Sequence, residues 1–236
     1  PTTDNVQMVQ SHLWPDASLE QAGAFAELRW ALAAGRSLKA GLRYDRVRAD
    51  AEAVDADPPS PMLAGPNGLY AQYYGVTHED KINENNWGGL LRFEQRFNER
   101  WTGFAGLSQT VRTADASERF LAAANPNPMM RWVGNPGLDP ETHRQADAGL
   151  VFQAGDHRLD GVVYYDDVSD YILRDRAHGQ GDVLQDDNAT VYRNVDATLY
   201  GVEGSWTWRV GAGWEASASL AWVRAENTSE DRDIAQ

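Results

Sequence analysis

The chain has 236 residues, a formal net charge of −14 and no cysteine. That length admits one large all-β unit or two small domains, the acidic balance excludes a general nucleic-acid binder, and the missing thiols exclude disulfides and thiolate zinc sites. No stretch reaches the ~18 continuous apolar residues of a membrane helix, and the polar first residues lack the basic and apolar regions of an export signal.

In chain order, the elements are defined by period-two alternation, because successive strand side chains point to opposite faces. Residues 6–13 alternate poorly and make a ninth strand at most. In 21–33, Ala24, Ala26, Leu28, Trp30 and Leu32 share a face opposite Glu27 and Arg29, and in 38–45 Leu38, Ala40, Leu42 and Tyr44 oppose Lys39, Gly41, Arg43 and Asp45. In 87–97, Trp87, Gly89, Leu91, Phe93 and Phe97 oppose Arg92, Glu94 and Arg96, and in 101–112 Ala105, Leu107 and Val111 oppose Thr102, Ser108, Thr110 and Arg112. The second half repeats this around Ala146–Phe152 and Leu159–Tyr165, where Val162 and Tyr164 blur the polar face. It continues with Val202, Gly204, Trp206, Trp208 and Val210, then Trp214, Ala216, Ala218, Leu220 and Trp222, against charged or hydroxyl residues.

Connections discriminate further. Short turns at 33–37, 98–100, 155–156 and 211–213 alternate with long polar segments at 48–86, 113–142 and 169–189. Compact soluble domains seldom carry structureless loops beyond about 12–15 residues, whereas outer-membrane barrels join strands by short periplasmic turns and long extracellular loops. The chain has nine Trp and nine Tyr, an enrichment that suits a girdled barrel or a secreted carbohydrate-binding β-domain. Trp30, Phe97, Trp101, Trp208 and Trp214 lie near short turns and form an inner girdle, while Tyr44, Trp87, Tyr165 and Trp222 lie toward the long loops and form an outer one. The expected fold is therefore an all-β antiparallel meander of eight or nine strands, part of a transmembrane β-barrel. The start at Pro1 and the end in an acidic stretch (Glu226, Glu230, Asp231, Asp233) that reads as the next outer loop predict a fragment, with further strands elsewhere.

Six segments in order resemble TonB-dependent outer-membrane receptors, and most of all the TonB-dependent copper receptors: GAFAELRWAL with LKAGLRYDRV (23–47), TVRTADASERF (110–120), GNPGLDPETH (134–143), YYDDVSDYILRD (164–175), YRNVDATLYGVEGSW (192–206) and LAWVRAENTSEDRDIAQ (220–236). The copper subfamily resemblance rests mainly on 110–120 and 192–236. Each segment also has a structural reading. Asn135-Pro136-Gly137 signals a turn, and Pro140 precedes a strand starting at His143. Gly201 and Gly204 suit a strand whose backbone is covered by the rings of Tyr200, Trp206 and Trp208. The resemblance implies a 22-stranded barrel, an N-terminal plug and a segment engaging TonB, the last two not visible here. It implies a transporter of a metal ion or metal complex in the outer membrane of a Gram-negative bacterium, with outer-membrane lipid, lipopolysaccharide and TonB as partners.

Copper transport calls for thioether and imidazole ligands. Met62, Met129, Met130 and His143 are the candidates in the outer loops, with His78 and His178 elsewhere. The alternative for the methionine pair is packing on other loops or on a helix near 116–124. The clusters Asp166-Asp167-Asp170, Asp186-Asp187 and Glu230-Asp231-Asp233 read as solvated loops or cation collectors. No nucleophile elbow, His-Glu-x-x-His helix or phosphate loop points to an enzyme, and no bound cofactor is expected, copper being cargo. A passive pore or small structural or adhesive barrel and a soluble sugar-binding β-protein are the other readings.

Overall fold

The structure, a computed structural model, describes residues 13–58, 63–211, 213–230 and 232–234. The expected ninth strand at 6–13 lies outside them but for Leu13. Eight long strands form an antiparallel meander: β1 (Ala17–Ala33), β2 (Arg36–Ala51), β3 (Ile82–Arg96), β4 (Trp101–Arg112), β7 (Glu141–Ala154), β8 (His157–Arg176), β9 (Thr190–Gly211) and β10 (Trp214–Asn227). Two-residue strands β5 (Ala122–Ala123) and β6 (Trp132–Val133) lie in a loop, β6 pairing parallel to β9, and β11 (Arg232–Asp233) pairs with β10. Sheet order follows the chain from β1 to β11, leaving those two strands at its edges. The short turns fall where expected, with Gly35, Gly155, Gly211 and Gly213 at positive φ, which glycine tolerates without a Cβ clash.

Most large apolar side chains of the strands share one face, and no described residue covers it, while Phe25, Leu90, Phe104 and Val162 fall on the other. Leu28, Leu42, Leu91, Leu107, Leu150, Val163 and Trp222 are exposed, and the register joins them across strands, as in Ala40–Leu91–Leu107–Ala146–Tyr165. Such a continuous greasy surface is untenable in water and suits lipid. The opposite face carries Glu27, Lys39, Arg92, Asp147, Asp160 and Glu203, as an aqueous interior would. The girdle aromatics sit on the apolar face, where Tyr44 meets Trp87 and Trp101 meets Phe152, each pair with centroids 4.7 Å apart.

Their levels give the strand tilt. The hydrogen-bonded row through Tyr165 crosses β3 at Leu91, four residues below Trp87 and three strands away. The row through Trp222 crosses β3 at Phe93, six residues below Trp87 and five strands away. With ~3.4 Å per residue and ~4.8 Å between strands, a level girdle requires a tilt of about 40°, the value of closed membrane barrels. Along β10, Trp214 and Trp222 then lie about 20 Å apart in height, close to the apolar band of an outer membrane.

Above the outer girdle the hydrophobic phase inverts. On β2 the interior-facing residues change from Lys39, Arg43 and Asp45 to buried Val47, Ala49 and Ala51, while the outward Arg46 and Arg48 are exposed. β8, β9 and β10 do the same at Val168, at Ala197, Val195 and Val191, and at Ala225. The inward side is apolar there because the loops fold over it. This corrects the expected loop extents. β8 and β9 run on to Arg176 and from Thr190, so the third loop shrinks to 177–189, and the other two hold helices α1 (Pro66–Tyr74) and α2 (Ala116–Phe120). The loops share a core of Val54, Leu69, Tyr70, Tyr73, Phe120, Val133, Val183 and Val191. In the acidic stretch the described residues turn back to pair with β10. Asn227 Oδ1 accepts from the backbone N–H of Ser229 and Glu230, making a tight turn into β11. The glycine reading also changes: a Cβ on Gly201 would lie 2.7 Å from Tyr164 Oη, so inward Tyr164 covers it, and Gly204 is uncovered because Trp206 stacks toward Trp208 and His157.

Candidate functional site

The inturned loops put a polar mouth over the interior face, and helix α1 organises it. Proline at its start and Gly75 at φ 72° after its end fix its ends. Each of its tyrosines sends its hydroxyl to another loop: Tyr70 Oη donates to the Phe120 carbonyl (2.7 Å), Tyr74 Oη to the Val133 carbonyl (2.7 Å), and Tyr73 Oη to Asp187 (2.7 Å). Buried rings with satisfied hydroxyls serve as both packing and tether. α2 carries a capping box from Asp115 and Glu118 and delivers fully buried Arg119 to Glu84 on β3.

Two charge networks lie below this cap. In the first, Glu141 accepts from Arg112 Nη2 (2.8 Å) and from the backbone N–H of Ile172 (2.9 Å), while Glu141 Oε1 and Asp166 Oδ2 bracket the two ring nitrogens of His143 at 2.6 and 2.7 Å. His143 and Glu141 lie beyond the girdle level of Tyr165 and outside the lipid-spanning part of β7. Hydrogen bonding to Glu141 raises the His143 pKa despite opposing desolvation, with Asp166 adding to the rise. Burial would raise Glu141, but His143, Arg112 and the Ile172 amide together bring it down to about 2. In the second network Asp175 accepts from Arg193 (3.0 Å) and Arg232 (2.6 Å), and Glu230 bridges the same two arginines.

The sign of the pH dependence follows. The raised His143 value means its contribution is full below the ordinary imidazole pKa and fades as pH rises through the folded value. The lowered Glu141 value means its contribution is full above the ordinary carboxyl pKa and is lost only toward pH 2. The loops should therefore loosen at the alkaline end, and His143→Gln should abolish that limb. Protease cleavage of the loops measured across pH 5–10 checks it (about the range where imidazole titrates), with Arg112, Glu118, Asp170 and Tyr171 as the other titratable groups nearby. A wild-type alkaline limb surviving in His143→Gln would exclude this origin.

The sequence-predicted ligands do not converge. Met129 and Met130 lie in a 3-10 turn, Pro128–Met130, with exposed side chains. Arg176 Nη1 reaches the Met129 carbonyl (3.4 Å), whereas His143 pairs with Val168, about 25 Å down β8. Both His143 nitrogens are engaged by carboxylates on opposite sides of the ring, so these groups do not point at one centre, and among the described residues no three His, Asp or Glu side chains are placed to hold a metal. Met62 and Asp231 lie outside the described residues. His78 is buried, its Nε2 accepting from Ala51 N–H (3.3 Å), and His178 is exposed. Asp166, Asp187, Glu230 and Asp233 pair with His or Arg, while Asp167 and Asp186 of the same clusters are exposed. β7 starts at Glu141, two residues earlier than expected, since Glu141 pairs with Arg112 in register. Sequence reasoning missed Glu141, Arg119 and Arg193; the inversion of hydrophobic phase on β2 and β9 was the available signal.

A lipid-facing antiparallel sheet with about 40° tilt, girdles and a loop cap defines the wall of an outer-membrane β-barrel. Residues 2–236 match the family model described as TonB dependent receptor-like, beta-barrel. The chain belongs to that family, and its place is the outer membrane of a Gram-negative cell. No curated protein matches the chain in sequence. Among solved structures it is similar to "Copper transporter OprC", with 28% identity and a TM-score of 0.67 over 93% of this chain and 31% of that one. The fold alone is shared with the FrpB iron transporter from Neisseria meningitidis (15% identity, TM-score 0.56, 93% and 28% covered) and the ferric yersiniabactin uptake receptor FyuA from Yersinia pestis (16%, 0.58, 92% and 28%). The chain thus spans about a third of the length of these structures.

Proposed function

We propose that this chain is the central barrel stretch of an active importer of metal ions or metal complexes, with copper as cargo, driven through TonB. The observation that carries the reading is the likeness to a copper transporter at 28% identity over 93% of this chain. On this reading the plug, the TonB-engaging segment and the remaining strands come from sequence outside it, and the interior charges and inturned loops form the entrance. The exposed thioethers of Met129 and Met130 are the soft donors for first capture, and His143, held between two carboxylates, keeps the mouth in shape.

The test is copper accumulation by cells expressing the receptor, with and without TonB, at limiting copper. Uptake should depend on both. Met129→Ala with Met130→Ala should raise the half-saturating copper concentration several-fold while leaving surface amounts unchanged. Copper entry independent of the receptor, alongside receptor-dependent entry of an iron–siderophore complex, would replace the copper reading with an iron one.

A further inference from the structure

The outer girdle has a gap. Between Trp87 on β3 and Tyr165 on β8, the tilt places the girdle level at Gln109 on β4 and Arg144 on β7, which are direct register partners on the outward face. Below them Gly89, register partner of Gln109, leaves the lipid face without a side chain. The result is a groove of about 540 Å³ lined by Leu42, Trp87, Gly89, Leu107, Arg144 and Tyr165. Two residues above Trp222 the outward Arg224 is held by Glu226 (2.8 Å) and Asp233 (3.2 Å), while the outward Arg46, two residues above Tyr44, joins no ion pair among the described residues but has no glycine-floored groove beside it. Arg144 borders the groove: its Nη1 donates to Ser169 Oγ (3.1 Å), and although Asp167 is its register partner, it joins no ion pair among the described residues. The amide nitrogen of Gln109 donates to the Trp87 carbonyl (3.2 Å), which leaves its oxygen to accept from a ligand hydroxyl or amide.

We propose that this groove seats one phosphorylated glycolipid of the outer leaflet. An acyl chain lies over Gly89 between Leu42 and Leu107, a sugar hydroxyl or amide donates to Gln109, and a phosphate takes the free side of the Arg144 guanidinium. Three features choose this occupant. The groove is continuous with the lipid-facing surface. Its cation is unpaired in a protein of net charge −14, and guanidinium is the side chain suited to phosphate. The acceptor beside it suits a sugar rather than a bare phosphate, and the flanking Trp and Tyr rings sit at headgroup depth. The proposal rests on the apolar face meeting lipid but not on the identity of the cargo.

The test is native mass spectrometry of the receptor carrying this chain, stripped in glycolipid-free detergent and offered four probes: a bisphosphorylated lipid A, its dephosphorylated form, phosphatidylglycerol and inorganic phosphate. One bisphosphorylated molecule should be retained per barrel. The dephosphorylated form should bind about tenfold more weakly, and inorganic phosphate should not bind. Arg144→Gln should weaken retention about tenfold, and Gly89→Leu should displace the lipid, with Ala146→Leu closing the same groove if the glycine variant misfolds; Arg224→Gln should change nothing. Equal retention by wild type and Arg144→Gln, or equal binding of phosphatidylglycerol, would overturn the proposal while leaving copper uptake untouched.

Discussion

Arginine at Leu91 is expected to destabilise the barrel by about 2–4 kcal/mol, whereas arginine at the adjacent Leu90 should cost under about 1 kcal/mol. The two leucines are similarly exposed, at 46% and 37%, so a water-facing surface would tolerate both changes alike. They differ only in face. Leu91 lies in the row Ala40–Leu91–Leu107–Ala146 at mid-height between Trp87 and Phe97, where a guanidinium would sit in hydrocarbon far from either interface. Leu90 points the other way, between register partners Gly41 and Ser108, and an arginine there reaches Glu27 across Gly41. Urea titration of the receptor in lipid vesicles, read by the gel mobility shift of folded barrels, measures both costs. A similar penalty at the two positions would mean that the apolar face does not meet lipid.

That contrast was legible in the sequence because period two is a local signal. All eight long strands followed from it, as did every short turn, since each needs only nearby residues and a glycine or asparagine at the bend. The mouth was not legible. Val47, Ala49 and Ala51 continue the alternation of β2 but with the apolar side switched, which looks like the end of a strand unless an inturned cap is expected. The residues clustered with Ala49 and Ala51, namely Leu69, Tyr70, Phe120 and Val183, come from three loops far apart in sequence. Ion pairs between those segments, such as Arg193 with Glu230 or Arg119 with Glu84, have no fixed spacing to read. His143 shows the same limit: its residue type suggested a ligand, and only the fold shows Glu141 and Asp166 already on its two nitrogens.

Removing Glu84 while keeping Arg119 should cost the cap about 3–5 kcal/mol, because it strands a buried cation. Arg119 is fully buried and donates to the Leu138 carbonyl (2.8 Å) as well as to Glu84. Burial pushes its pKa below the usual guanidinium value, opposed mainly by the charge of Glu84. Carbonyls satisfy some of its donors but carry no countercharge, so Glu84→Leu leaves the desolvation penalty uncompensated and loosens α2. Glu84→Leu with Arg119→Met removes both charges and should regain most of the loss, because an apolar pair of similar volume refills the site. The barrel stays intact in both, since Glu84 lies above the girdle residue Trp87. External protease acting on intact cells should therefore cut within residues 113–140 in the single variant and spare the double one. Equal cleavage in the two would show that helix α2 is held by its packing around Phe120 rather than by this ion pair.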